Sequence, residues 1–239
     1  MHMDPTRYWP SASNTLLLTA ALHPDPDKAR QGWLGWEELQ RFEAVNWAEM
    51  RVVPVVARRL PQLGVDSPLL PRLAGVRRFL WTKARMLHRA VTPLLQSLRA
   101  AGITPYLTKG AARIALDPAE AVERYSHDVD VLVRPDEWEV AVDLVLAAGL
   151  VPEQNLSREA LLRLRQRFHA IGFQKAEAQI DLHLFAMKRN RCEGDDDGLR
   201  ERSLDARFAG VPVRVPCAED RMVMALGHGL LFNPGRVTD

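Results

Sequence analysis

Apolar positions recur at helical spacing through the first hundred residues and at strand spacing after them. Leu73, Val76, Leu80, Ala84, Leu87, Val91, Leu94 and Leu98 return every three or four residues, which predicts a long amphipathic helix from about Arg72. Pro93 falls inside that pattern and should kink or split it, because its ring removes an amide donor and crowds the preceding turn. Ala101-Gly102 then supplies a C-terminal stop. Upstream, Ser13, Asn14 or Thr15 can cap a helix running through Leu16, Leu17, Leu18 and Ala21. Pro24, Asp25, Pro26 and Asp27 break it. A second helix is predicted near Gly35-Trp36, and a third near Asn46-Trp47 that Pro54 limits.

From Ile103 the period shortens. A strand over 103–108 contains Pro105 and so suits a sheet edge. A helix follows near 110–116, then a strand over 129–134. Asp136 and Glu139 have the spacing of a capping box for the next helix, whose inward residues are Trp138, Val142 and Val145 and which Gly149 stops. An arginine-rich helix over 157–168, strands over 170–176 and 178–185, a polar loop from Lys188 to Gly198, a strand over 211–215 and a helix over 218–231 complete the chain. Strands alternating with helices and then pairing predict an α+β fold with a small mixed β-sheet and flanking helices, preceded by an α-helical N-terminal region. The boundary is placed at residue 100, giving segments 1–100 and 101–239.

The chemistry is concentrated in Asp128-Val129-Asp130, which opens a strand. Residues i and i+2 of an extended chain share a face, so both carboxylates project together while His127 points away. Two hard oxygen ligands so placed suit Mg²⁺, with Mn²⁺ as the substitute. A third carboxylate, Asp181, lies in the alternating stretch Gln179 to Phe185, with His183 on its face. Upstream, Lys109-Gly110 stands between a strand and a helix start, where unpaired amides favour an anion and the lysine adds a mobile cation.

These stretches, Leu107 to Ala111, Arg124 to Val133 and Ile180 to His183, resemble in order and spacing the polymerase-beta-type nucleotidyltransferase superfamily. They are most similar to a branch of poorly characterised bacterial nucleotidyltransferases with Leu-Lys-Gly and Asp-Leu-His motifs, although Thr108 stands where that branch has leucine. The resemblance spans roughly residues 90 to 232. It implies a Mg²⁺-dependent transfer of a nucleoside monophosphate from an NTP to an unknown acceptor, with release of pyrophosphate. It further implies that Asp128, Asp130 and Asp181 are catalytic metal ligands, and that Lys109 and Gly110 hold the triphosphate. Arg124 and Ser126 are expected to orient the metal-binding loop or merely to stabilise it, and His183 to be an acceptor contact, a supporting residue, a proton relay or a hydrogen-bonded strand histidine. Ala111 replaces the second small residue, often serine, that the wider superfamily uses against phosphate. That departure keeps open a non-catalytic nucleotide or partner binder of the same fold, beside a toxin-like enzyme acting on tRNA or protein. A haloacid-dehalogenase-type phosphatase is disfavoured, because its Asp-x-Asp ends an apolar strand whereas this pair precedes one. A sugar-nucleotide site is disfavoured because nothing like a nucleotide-sugar fold comes before the pair.

Composition adds exclusions. A formal charge of +2 on 239 residues makes no general case for nucleic acid. Arginines at 77, 78, 85 and 89 with Lys83, and those at 158, 163, 165 and 167, form two basic stripes, more often solvated faces than RNA sites. Cys192 and Cys217 are too few for a disulfide framework or zinc site. The N-terminus lacks a signal-peptide core, and the run Leu16 to Leu22 is too short to span a bilayer, so the expectation is cytoplasmic with no membrane role. Proteins of the resembled branch generally continue with more helices, which implies that the chain is shortened at Asp239 or lacks them.

Overall fold

The computed structural model describes residues 10–39, 42–119, 126–163, 165–188 and 191–228. They divide into two compact units, one carried by the chain up to Thr82 together with residues 226–228, and the other by the described residues between Lys83 and Ala225.

The first unit is helical. Helix α1 spans Ala12–Leu22, α2 Pro26–Leu39 and α3 Trp47–Gln62. The cap of α1 is Ser11, two residues before the first predicted candidate, Ser13, and its hydroxyl accepts from the Asn14 amide. Helix α2 begins at Pro26 rather than near Gly35, because proline suits a helix's first turn. Gly32 allows α2 to meet α1 closely: a Cβ there would lie 2.9 Å from both the Ala20 amide and the Leu16 carbonyl. Asn46 and Glu49 form the capping box of α3, which continues through Pro54 instead of ending there. Leu17, Trp33, Trp36, Val53, Val56 and Leu60 form the core, with the two indoles stacked at 5.1 Å.

Helix α4 spans Leu70–Ala100 and passes Pro93 without the predicted split. Beside the proline, the Thr92 hydroxyl donates to the His88 carbonyl at 2.7 Å and the Ser97 hydroxyl to the Pro93 carbonyl at 3.1 Å. Its C-terminal half supplies Leu87, Val91, Leu94, Leu95 and Leu98 to the second unit's core.

That unit is a mixed sheet with helices. Its strands are β1 (Tyr106–Leu107), β2 (Val129–Leu132), β3 (Val151–Pro152), β4 (Ala170–Lys175), β5 (Ala178–His183), β6 (Leu204–Phe208) and β7 (Val211–Val215), ordered β3-β4-β5-β2-β1-β7-β6. Strand β2 runs parallel to β5, and β1 parallel to β7; the remaining pairs are antiparallel. The α+β expectation holds. Strand β1 is far shorter than predicted and interior, not an edge; it starts after Pro105, whose carbonyl accepts the Arg214 amide at 2.9 Å. Helices α5 (Lys109–Leu116), α6 (Trp138–Ala147), α7 (Arg158–Arg163), α8 (Asp197–Glu201) and α9 (Ala218–Leu226) complete it. The predicted capping box of α6 does not form. Asp136 instead pairs with the Arg134 guanidinium, and Glu137 accepts the Arg134 amide at 2.9 Å. Strands β3 and β6 were not among the predicted elements.

Candidate active site

Strand pairing assembles the site. Residues facing each other across adjacent strands share a face of the sheet. Asp130 on β2 faces Asp181 on β5, which in turn faces Gly172 on β4. On the other flank, the register of β1 against β2 continues to Thr108, whose amide donates to the Asp130 carbonyl at 3.2 Å. One row therefore runs Thr108, Asp130, Asp181, Gly172 across four neighbouring segments. All four residues of β2 are buried, so the aspartate is carried inside by an apolar strand.

Asp130 is 3% exposed and doubly held. The Lys109 ammonium donates to its Oδ1 at 2.6 Å, and His183 Nε2 lies 2.9 Å from the same oxygen. Burial alone would push the Asp130 carboxyl up, but the His183 hydrogen bond and the Lys109 charge outweigh it and hold the group well below the usual carboxylate range. Burial pulls on Lys109 in the opposite sense, yet Asp130, with Asp181 and Asp128 behind it, keeps the ammonium above its ordinary value. Lys109 adopts φ +46°, a left-handed conformation at the strand-to-helix junction. Such a conformation costs a non-glycine residue about 1–3 kcal/mol and concentrates at functional sites. Gly110, the second residue of α5, is buried.

Asp128 is placed differently from the expectation. Residues 127 and 128 form a bend, and β2 begins only at Val129, so strand alternation does not extend to His127. Its Nε2 lies 3.3 Å from Asp128 Oδ2 instead of pointing away. The Ser126 hydroxyl donates to the Asp128 carbonyl at 2.6 Å, closing the turn. Burial, then the neighbouring Asp130 charge, raise the Asp128 carboxyl. Arg124 lies outside the described residues.

Among the described residues, the ligand atoms of Asp130, Asp181 and His183 gather within 4.8 Å of one another. No described donor hydrogen-bonds the Asp181 carboxylate. The His169 ring meets His183 edge-on at 5.4 Å, and burial, then the His183 charge, push its imidazole down to about 4. Sequence reasoning did not single out Thr108 for chemistry. Its hydroxyl is buried without a partner at the cap of α5, a property that depends on the β1–β2 register and leaves no trace in local composition.

A strained helix start bearing a cation thus stands on one flank of a sheet row, with clustered carboxylates and an imidazole on the other. The chain belongs to the uncharacterised nucleotidyltransferase family, whose model matches residues 36–232. It is accordingly a nucleotidyltransferase-type enzyme. No curated protein and no solved structure matches it. No described helix is long and apolar enough to cross a membrane.

Proposed function

We propose that the protein moves a nucleoside monophosphate from an NTP to an acceptor hydroxyl or amine. The carrying observation is the shared row: Lys109 and the start of α5 stand on one side of Asp130, and Asp181 on the other. The new bond joins the acceptor atom to the α-phosphorus, the bond to the bridging oxygen breaks, pyrophosphate leaves, and the acceptor proton passes to solvent.

Asp130, Asp181 and His183 are close enough to share one divalent ion, with Asp128 as the further carboxylate of the loop. The oxygen-rich set suits Mg²⁺, and the imidazole admits Mn²⁺. Bound there, the ion would neutralise charge developing on the phosphoryl oxygens. The chain's own part is placement. Lys109 and the α5 amides hold the triphosphate, Ser126 fixes the bend that presents Asp128, and His183 orients Asp130.

The test incubates the protein with Mg²⁺, α-labelled NTPs and a cell lysate, beside Asp130→Ala. Losing this carboxylate should lower labelling by about 10²-fold or more. Undiminished labelling by the variant would refute the assignment. The second reading, a nucleotide binder without turnover, is favoured by Ala111, which offers no hydroxyl to a phosphate. It requires NTP binding with no pyrophosphate released.

A further inference from the structure

The row of site residues does not end at Asp181. Next comes Gly172 on β4, and beyond it Glu153, whose amide donates to the Gly172 carbonyl at 2.9 Å immediately after β3. The absent side chain of Gly172 leaves a gap between two carboxylates. A Cβ there would meet Glu153 Oε2 at 2.7 Å and Asp181 Oδ1 at 3.3 Å. The Glu153 carboxylate therefore lies over the glycine, and Asp181 Oδ1 borders the same space that the missing Cβ leaves. Gln179 Nε2 donates to its other oxygen, Oε1, at 3.2 Å and fixes the direction of the group. No described residue donates to Oε2.

The two ends of the row differ in sign. At the Thr108 end stand Lys109 and the amides of α5, suited to phosphate. At the Glu153 end, the Glu153 and Asp181 carboxylates both border the gap at Gly172, the neutral Gln179 bonds the first, and Glu153 itself is exposed. A triphosphate laid along the row points toward Lys109, because Lys109 and the α5 amides attract it and the Glu153 carboxylate at the opposite end repels it. The attacking group then approaches from the Glu153 end.

Resting on the transferase reading above, we infer that Glu153 is the acceptor-binding residue and that the acceptor is a small hydroxyl compound carrying a protonated amine. Oε2 receives a hydrogen bond from that ammonium, and the Glu153 carboxylate selects cationic acceptors over neutral or phosphorylated ones. Gly172 is what lets Glu153 reach the site. Its own backbone is extended, so alanine fits there only by displacing the flexible Glu153 side chain.

The test uses the deproteinised small-molecule filtrate of the lysate as acceptor source, titrated at fixed α-labelled ATP. Passing the filtrate over a cation exchanger should remove the acceptor activity, while an anion exchanger should leave it. Glu153→Gln and Gly172→Ala should each need about tenfold more filtrate for half-maximal labelling, with the ATP dependence unchanged. Glu153→Asp should recover part of the loss. A thermal melt equal to wild type separates this effect from misfolding. Acceptor activity that survives the cation exchanger, or is retained above the filter, overturns the inference alone. So does an unchanged filtrate dependence in both variants, or a raised ATP requirement in their place. Absence of label even from unfractionated lysate with the wild-type protein removes the transferase reading itself, and this inference with it.

Discussion

His88 is 4% exposed and meets the Phe208 ring edge-on at 4.8 Å. Burial first, then the Arg85 charge, push its imidazole from 6.5 down to about 4. The unfolded chain thus binds the proton before the folded one does. Stability is fully present above the ordinary histidine value and is lost as pH falls toward 4. His169, also lowered to about 4, acts with the same sign. The His88 share amounts to at most about 3 kcal/mol. His88→Leu should reduce the difference in urea-unfolding free energy between about pH 7.5 and about pH 5, leaving the His169 share. An undiminished difference would contradict the buried neutral imidazole. Lys109 carries a second residue-scale prediction. Its ammonium neutralises Asp130, so it competes with any divalent cation bound there. Lys109→Met should tighten Mn²⁺ binding without nucleotide by about tenfold, read by calorimetry, while weakening ATP. Equal or weaker Mn²⁺ binding would show that the pair does not guard the site. The sequence marked Lys109 by its place before a helix, and Asp130 and Asp181 by alternation. It could not disclose that Lys109 and His183 converge on one oxygen, since that depends on how β2 registers against β5 and on the turn from β1 into α5.

At the scale of elements, glycine stops make two helices comparable. Gly102 after α4 and Gly149 after α6 have φ +83° and +80°, so alanine at either adds left-handed strain of about 1 kcal/mol or more. Their surroundings differ. A Cβ at Gly102 meets nothing within 4 Å, whereas one at Gly149 lies 2.6 Å from Lys175 Nζ, which donates to the Ala148 carbonyl at 2.7 Å. Gly149→Ala should therefore destabilise more than Gly102→Ala, by about a further 0.5–1 kcal/mol for the lost hydrogen bond. Urea midpoints at equal slope decide this, and equal costs would mean Lys175 relocates freely. Both stops were legible because a glycine closing an apolar period has one common use. Strands β3 and β6 were not. The first has two residues, one of them proline, and the second reads Leu-Asp-Ala-Arg-Phe with only Phe208 buried. Sheet ends carry no two-sided apolar pattern, so their pairing is specified by neighbours and not by their own composition. The failed capping box before α6 has a similar origin: Arg134 claims Asp136 and Arg158 claims Glu139, the two acidic side chains that local spacing had assigned to the helix.

The whole molecule carries +2, and several of its arginines are matched by acids nearby. Arg158, counted in a basic stripe from the sequence, is bound by Asp143 at 2.5 Å and Glu139 at 2.8 Å. Lys83, counted in the other, lies 3.8 Å from Glu177. Arg202 pairs with Asp220, and Arg214 with Asp205. A spacing rule sees only the cations of each helix; the acids that answer them come from residues distant in sequence, so the stripes looked stronger than they are. This bears on the tRNA-modifying alternative. A protein gripping a nucleic acid strand through 6–10 phosphates loses about 10³-fold or more in affinity between roughly 50 and 200 mM salt, because each contact releases a condensed counterion. A small acceptor held by one or two charged groups releases none, and its contacts are screened only modestly over the same range. Labelling at subsaturating acceptor should therefore change by less than about fivefold between those salt concentrations. It should also survive nuclease treatment of the lysate. A steep power-law loss with salt, abolished together with the label by ribonuclease, would replace the small-molecule acceptor with RNA, and would require the arginines at 163, 165 and 167 to act as its phosphate contacts.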